Sequence, residues 1–154
     1  MKDLKLGVQL GYWGAQPQTD IIGVAQEAEK LGYDSIWTAE TWGSDCFTPL
    51  TWVGAHTSKI RLATGVVQIS ARTPAATAMA ALTLDHLSGG RMILGMGVSG
   101  PHVVEGWYGQ GFAKPLARTR EYVSIIKKIL AREEPVSNAG EHYPLPYTGD
   151  KGWG

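Results

Sequence analysis

Glu40 is the residue of this 154-residue sequence best placed for acid–base chemistry. It follows segment 34–39, which contains Ile36 and Trp37 and is predicted as a strand, and Trp42 comes two residues later. Carboxylates at the carboxyl ends of parallel strands tend to face the active site. The other interpretation is a surface carboxylate that pairs with a nearby lysine or arginine. The residues alone leave both interpretations open, and we take Glu40 as the candidate catalytic residue.

A glycine-rich segment follows the fourth predicted strand. Residues 95–100 read Gly-Met-Gly-Val-Ser-Gly and match the GxGxxG pattern of dinucleotide-binding folds. In those folds the motif follows the first strand and opens a helix, whereas here Pro101 and further glycines come next, so we do not expect a Rossmann site. Glycine here either relieves crowding where the strand leaves the sheet or, as we prefer, lets a planar cofactor approach the backbone closely.

Most other catalytic and metal-binding patterns are absent from the sequence. Cys46 is the single cysteine, which excludes an intrachain disulfide and a CxxC metal site. The four histidines lack metal-ligand spacing, and only His102 lies beyond a strand end, where it could line a site. There is no GxSxG or GxxxxGK[ST] motif, and we interpret 87–91, Leu-Ser-Gly-Gly-Arg, as a helix stop. We predict no metal site.

Composition narrows the classes of partner. Lys plus Arg and Asp plus Glu number 14 each, so the net charge gives no long-range attraction to nucleic acid or to an anionic membrane. No apolar run is long enough for a membrane span, and the amino terminus does not resemble a signal peptide. We therefore expect a cytoplasmic protein that binds neither nucleic acid nor a membrane, whereas the charge balance says little about small substrates.

The sequence alternates predicted strands and helices four times. Strands are predicted over 4–10, 34–39, 60–69 and 91–98. Each is followed by a predicted helix. The first three helices are predicted to begin at the caps Thr19, Thr48 and Thr73, and the last is predicted to run from about 116 to 134. Such alternation predicts a parallel sheet with right-handed crossovers in a single α/β domain over 1–154, with 136–154 as a hairpin or loop tail. A doubly wound sheet and half of a (β/α)₈ barrel both fit this pattern. Only half of a barrel is considered, because a full barrel needs about 250 residues.

Several segments, taken together and in order, resemble the bacterial-luciferase-like monooxygenase family. They are 32–40 (Gly-Tyr-Asp-Ser-Ile-Trp-Thr-Ala-Glu), 63–66 (Ala-Thr-Gly-Val), 70–74 (Ser-Ala-Arg-Thr-Pro), 87–100 and 117–122 (Ala-Arg-Thr-Arg-Glu-Tyr). The resemblance is closest to the branch that uses the deazaflavin coenzyme F420 rather than FMN. It implies the first four β/α units, the amino-terminal half, of a (β/α)₈ TIM barrel.

The resemblance also implies where a cofactor would lie. Its ring is expected at the carboxyl mouth of the strands, where Gly65-Val66 matches a strand-three bulge with a non-prolyl cis peptide bond. The expected cofactor-binding residues are Gly65, Val66, Gly97, Val98, Ser99 and Gly100. Aromatic residues just past strand ends are expected to form walls for the substrate: Tyr12, Trp13, Trp42 and Trp107.

The implied activity is hydride transfer between coenzyme F420 and a small organic substrate. The alternatives are an FMN-dependent monooxygenase that uses O2 and a non-catalytic half-barrel. Many family members have a histidine directly after the acidic residue that ends strand two, whereas Thr41 stands here, and a hydroxyl is a poor general base near neutral pH. Because four units leave sheet edges uncovered, we expect a homo-oligomer or completion by a missing carboxyl-terminal half.

Overall fold

The protein alternates strands and helices along the chain. In this computed structural model, residues 4–16 and 18–146 are described. The elements are β1 Gly7–Gly11, α1 Ile21–Lys30, β2 Ser35–Thr38, α2 Phe47–Ala55, β3 Arg61–Thr64, β4 Val67–Gln68, α3 Pro74–Ser88, β5 Met92–Ile93, β6 Met96–Gly97, α4 Pro101–Val104 and α5 Pro115–Ala131. They fall into two compact units, a first unit of residues 1–68 and 80–97 and a second unit of residues 69–79 and 98–154.

The first unit contains the sheets. A four-stranded sheet has the order β1-β2-β3-β5, and β4 pairs with β6 in a separate two-stranded sheet. All of these pairings are parallel, which confirms the predicted parallel sheet. The predicted third and fourth strands are each split in two, after Thr64 and after Ile93. The chain therefore has the fold of the first four units of a (β/α)₈ barrel.

The core of the first unit lies where strands meet helices. Ile36 and Leu62, partners in the β2–β3 register, are both fully buried. Leu50 and Val53 on α2 are fully buried as well and belong to the same cluster. Burial on this scale stabilises by roughly 1.5–3 kcal/mol for each such side chain. The apolar strands and the inward stripe of α2 thus hold the strand ends in place.

Local capping decides where each helix begins. The predicted cap of α1, Thr19, is wrong by one residue, because Asp20 Oδ1 accepts the N–H of Gly23 at 2.9 Å. For α2 the predicted Thr48 start is also wrong, since Asp45 Oδ1 accepts the N–H groups of Phe47 and Thr48, both at 2.9 Å. The predicted cap of α3 is confirmed: Thr73 Oγ1 accepts the N–H of Ala76 at 3.2 Å.

The second unit is built from α4, α5 and a hairpin. The expectation that no helix follows Gly100 is wrong, because Pro101 takes the first position of the four-residue α4, where a missing N–H costs nothing. Asn138 and Leu145 exchange two backbone hydrogen bonds of 2.9 Å and form an antiparallel bridge. Residues 147–154 of the predicted tail lie outside the described residues.

Among the residues that the structure describes, none of the helices is both long enough and apolar enough to cross a membrane.

Candidate functional site

Glu40 lies just beyond the carboxyl end of β2 and is 3% exposed. Its Oε1 accepts the backbone N–H of Gln68 at 2.8 Å, and its Oε2 accepts the N–H of Cys46 at 3.2 Å. Thr38, the last residue of β2, donates its Oγ1 hydrogen to the carbonyl of Cys46 at 2.7 Å. The surface ion-pair interpretation of Glu40 is therefore wrong, because the carboxylate is buried and joins the loop after β2 to β4.

Gln68 is the polar side chain that Glu40 holds, and it is 4% exposed. Its Nε2 donates to the backbone carbonyl of Glu40 at 3.2 Å, but its Oε1 has no hydrogen-bond partner. A buried carbonyl oxygen without a donor costs about 1–3 kcal/mol, so such an atom calls for an explanation. A ligand N–H would satisfy it.

Sequence analysis did not identify Gln68. The available signal was weak: one amide side chain within the otherwise apolar stretch at the end of the predicted strand 60–69. An amide there is equally typical of a residue whose groups are satisfied within the protein.

The chain between β3 and β4 departs from strand geometry at Gly65 and Val66, whose shared peptide bond is cis. A Cβ on Gly65 would lie 3.1 Å from Cε3 of Trp37, so a side chain here would press on that ring. Val66 packs against Gly97, where an added Cβ would lie 2.7 Å from Val66 Cγ2. Three of the predicted cofactor residues are thus next to one another in the first unit.

Gly95 is explained by the contact of two strands. Thr64 Oγ1 donates to the Gly95 carbonyl and accepts the Gly95 N–H, both at 2.9 Å. A Cβ on Gly95 would lie 2.2 Å from the Thr64 carbonyl oxygen, a distance that no side chain tolerates. The first glycine of the GxGxxG match is therefore required by packing within the first unit.

The remaining predicted cofactor residues begin the second unit. Ser99 has a φ of 57°, in the left-handed region, and Gly100 is the N-cap residue of α4. Val98 lines a pocket described below.

The predicted aromatic walls differ in exposure. In the first unit, Tyr12 is 44% and Trp42 is 48% exposed, while Trp13 packs against the core and donates its backbone N–H to Ser44 Oγ at 2.9 Å. In the second unit, Trp107 is 58% exposed. Aromatic rings with this much exposed surface are suited to contact with a planar ligand.

A pocket of about 290 Å³ lies within the second unit. Its lining residues are Ile69, Ser70, Ala71, Arg72, Thr73, Val98, Val104, Gln110, Gly111, Phe112, Pro115, Arg118 and Tyr143. Among these described lining residues, the charged ones are two arginines. Ser70 Oγ is buried and has no hydrogen-bond partner. The pocket therefore combines positive charge with an unsatisfied hydroxyl group.

Glu121 on α5 holds the hairpin that brings Tyr143 to this pocket. Its Oε2 accepts the backbone N–H groups of His142 and Tyr143, both at 3.0 Å, and the side-chain amide of Asn138 at 3.2 Å. Burial raises the pKa of Glu121, but these hydrogen bonds outweigh it and leave the pKa below its ordinary value. The carboxylate is thus ionised, and the hairpin is fixed, at neutral pH.

At the amino ends of the strands the polar groups of two residues are fully used. Glu29 Oε1 accepts the N–H groups of Lys59 and Ile60 at 2.6 and 2.8 Å, and Ser58 also donates to this carboxylate. Arg91, the last residue of the Leu-Ser-Gly-Gly-Arg segment, donates to acceptors on residues 54, 57, 60 and 88. As predicted, the helix stops within that segment, at Ser88, and the arginine that ends the segment has a structural role.

Metal chemistry has no support in the described part of the chain, where no group of three or more His, Cys, Asp or Glu side chains could hold a metal ion. His102 follows Pro101 on α4 and does not line the pocket of the second unit. The geometry instead offers a buried amide acceptor in the first unit and a cationic pocket in the second.

Comparison with known proteins places this geometry in a family. The sequence model of the luciferase-like monooxygenases matches residues 6–151. A Mycobacterium tuberculosis protein named provisionally as a coenzyme F420-dependent oxidoreductase is 64% identical over 147 residues, which is 96% of this chain and 42% of that protein.

Comparison with solved structures supports the same family. A monooxygenase from Streptomyces bottropensis superposes with a TM-score of 0.83 at 26% identity, over 92% of this chain and 47% of its own. The coenzyme F420-dependent tetrahydromethanopterin reductase from Methanopyrus kandleri superposes with a TM-score of 0.80 at 25% identity, over 94% and 45%. The chain belongs to the luciferase-like monooxygenase family and spans less than half the length of these relatives.

Proposed function

We propose that the protein is an oxidoreductase that transfers a hydride between coenzyme F420 and a small organic substrate. The observation that carries the proposal is the unpartnered, buried Oε1 of Gln68. Deazaflavin and flavin rings present an N–H in their pyrimidine half, which is the donor that this oxygen lacks. The similarity to F420-dependent relatives supports the choice of coenzyme.

The residues that would hold the ring in the first unit are Gly65, Val66 and Gly97, with Gln68 as hydrogen-bond acceptor. Val66 offers an apolar surface backed by the bare Cα of Gly97, which suits a flat ring. The residues 98–100 remain candidates for further coenzyme contacts. When bound, the coenzyme would supply the hydride chemistry itself, so the protein has to provide binding, orientation and exclusion of water.

Glu40 acts in this proposal as the residue that positions Gln68. Its Oε1 accepts the backbone N–H of Gln68, and its backbone carbonyl accepts the side-chain amide of Gln68, so Gln68 is held once by its backbone and once by its side chain. The exposed rings of Tyr12, Trp42 and Trp107 are candidate substrate walls, with Trp13 as a supporting core residue.

Replacement of Gln68 by methionine tests the proposal. The substitution keeps the length of the side chain and removes the amide, so coenzyme F420 should bind about tenfold more weakly, the effect expected for a lost buried hydrogen bond. Binding is measured by quenching of the coenzyme's fluorescence. Gln26→Met, the same change on the exposed face of α1, is the matched control. Equal affinity in both variants would contradict the assigned role of Gln68.

An FMN-dependent monooxygenase that uses O2 is the second candidate, favoured by the superposition on the Streptomyces bottropensis monooxygenase. An FMN ring carries the same N–H, so Gln68 does not separate the two coenzymes. The absorption spectrum of the purified protein after incubation with each coenzyme does, because the deazaflavin absorbs at shorter wavelength. A non-catalytic role is the third candidate and would be supported by the absence of binding to both.

The proposed activity belongs to a complete barrel. β1 and β5 are the edge strands of the four-stranded sheet in the first unit, and unpaired edges of parallel sheets are normally covered. We propose that further strands pair with them, either of a longer polypeptide or of a second copy of this chain. Sedimentation of the 154-residue chain as a stable monomer would contradict pairing with a second copy.

A further inference from the structure

We propose that the pocket of the second unit binds the anionic group of a small molecule, a carboxylate or a phosphate, and packs the body of that molecule between aromatic rings. This proposal goes beyond hydride transfer and does not depend on it, since it concerns the second unit alone.

The charged groups among the described lining residues of the pocket are guanidinium groups. They belong to Arg72 and Arg118, and none of the described lining residues is an aspartate or a glutamate. Arginine pairs well with carboxylate and phosphate, because its planar guanidinium offers parallel N–H donors in a fixed geometry. A partly enclosed pocket strengthens this attraction over its value in bulk water.

Donors remain available within the pocket. Arg118 Nε donates to the Ala113 carbonyl at 3.0 Å, and its two terminal nitrogens have no acceptor among the described residues. Ser70 Oγ is buried without a partner. An anion with several oxygens would satisfy both groups at once, which a neutral apolar ligand would not.

The remaining walls suit an apolar or aromatic body. Phe112 and Tyr143 line the pocket together with Ile69, Val98 and Val104. Tyr143 packs edge-on against Tyr122, with ring centroids 5.5 Å apart and an interplanar angle of 80°. A pocket of about 290 Å³ with these walls accommodates a small aromatic acid.

The Tyr143 wall is fixed rather than loose. Glu121 holds the backbone of residues 142 and 143, as described above, and Lys114 pairs with Glu141 at 2.9 Å on the same hairpin. Tyr122, against which the Tyr143 ring packs, is fully buried and shares a hydrogen bond with Thr77. The pocket is therefore preorganised, which lowers the entropy lost when a ligand binds.

The test is isothermal titration calorimetry of the protein with inorganic phosphate and with benzoate, and with benzyl alcohol as the neutral probe of similar shape. Both anions should bind, with a Kd on the order of 1 mM for probes of this size, and benzyl alcohol should bind at least about fivefold more weakly than benzoate. Equal binding of benzoate and benzyl alcohol, or no binding of either anion, would overturn the proposal.

Two pairs of variants assign the binding to this pocket. Arg118→Gln should weaken anion binding about tenfold, whereas Arg120→Gln, an exposed arginine two residues on in α5, should leave it unchanged. Gly111 lines the pocket, and an added Cβ there meets nothing within 4 Å. Gly111→Asp should therefore weaken binding by charge repulsion, while its neutral isostere Gly111→Asn should not. If neither pair of variants differs in anion affinity, the site is wrong.

The Gly111 pair keeps the test decisive if loss of the bond from Arg118 to Ala113 prevents folding, which circular dichroism would reveal. Repeating the benzoate titration with saturating coenzyme F420 identifies the source of the anion. Displacement of benzoate assigns the pocket to the coenzyme's own phosphate, and retained binding assigns it to the acid group of a substrate. Either result keeps the anion site.

Discussion

Two glutamates of the first unit lie at opposite ends of the parallel strands. Both accept backbone N–H groups from neighbouring segments, but only one of them lies beside a polar atom that has no hydrogen-bond partner. Glu29, at the amino ends, accepts the N–H groups of the segment 58–60 that leads into β3. Glu40, at the carboxyl ends, accepts N–H groups from the loop after β2 and from β4. Beside Glu40, however, the Gln68 amide oxygen is left without a donor.

The difference separates stability from function in this fold. At the amino ends, Arg91 and Glu29 use their polar groups in hydrogen bonds within the protein. These hydrogen bonds stabilise the fold. At the carboxyl ends an unsatisfied acceptor is retained at a cost in stability, as is typical of ligand sites. Substitutions at the amino ends should therefore change the free energy of unfolding alone, whereas substitutions at the carboxyl ends should also change the affinity for coenzyme.

Glu40→Ala is expected to have the largest effect, and it should affect both measurements. It removes a buried carboxylate and leaves two N–H groups without acceptors, so the free energy of unfolding should fall by about 3 kcal/mol. Coenzyme binding should weaken as well, because Gln68 loses its support. Chemical denaturation and fluorescence titration measure the two effects.

The role of Glu40 in any turnover is tested by Glu40→Gln in the complete enzyme. A positioning residue raises the KM for coenzyme and leaves the shape of the pH–rate profile unchanged. Loss of one limb of that profile would instead make Glu40 the acid or base of the reaction, and would remove the contrast with Glu29.

Arg91→Lys should have the next largest effect, on stability alone. The guanidinium donates to five acceptors, whereas an ammonium group has three donors and a different geometry. The free energy of unfolding should fall by about 2 kcal/mol, measured by urea denaturation. Affinity for coenzyme F420 should not change. A weaker affinity would contradict the proposal that the amino ends of the strands contribute to stability and not to coenzyme binding.

Glu29→Gln should have a smaller effect that depends on pH. Burial raises the pKa of Glu29, but hydrogen bonds from Ile60, Lys59 and Ser58 outweigh it and lower the pKa below 4.5. A lowered pKa in the folded state contributes stability above the unfolded value, and this contribution is lost as the pH falls through the folded value. The variant should be about 1 kcal/mol less stable at pH 7, allowing for screening by solvent.

The comparison of Glu29→Gln with the unmodified protein should therefore converge on acidification below about pH 4.5. Glu27→Gln on the same helix is the control, because Glu27 forms only an exposed pair with Lys30 at 3.2 Å. Such pairs contribute about 0.5 kcal/mol or less. A difference between Glu29→Gln and the unmodified protein that stays constant from pH 7 to pH 3 would show that its carboxylate charge does not matter.

The sequence predicts the parallel strands well because their signal is local. Runs such as Ile60 to Ile69 are mostly apolar, as is typical of strands buried on both faces. The breaks within those runs are not predictable, because they depend on a tertiary contact between Thr64 and Gly95. The start of α2 was missed since Asp45 and Thr48 are both good caps, and only the folded loop shows which one is used.

In the candidate site, too, one residue was identified from the sequence and another was missed. Glu40 was identified because its position after a strand is visible in the sequence, although its two hydrogen bonds to distant backbone were not. Gln68 was missed because its importance lies in a partner that it lacks. No sequence pattern reports an unsatisfied atom, since the same glutamine would look identical with its oxygen paired.

The contact at Gly95 has a consequence for sequence searching and for natural variation. Its glycine is required by the Thr64 carbonyl oxygen, which would lie 2.2 Å from any added Cβ, so the first glycine of the GxGxxG match is present for a reason unrelated to nucleotides. A descendant that had lost every ligand would still need that glycine as long as β3 and β5 remained neighbours. Its persistence across relatives would therefore record the ancestry of the fold and would say nothing about which cofactor any of them uses.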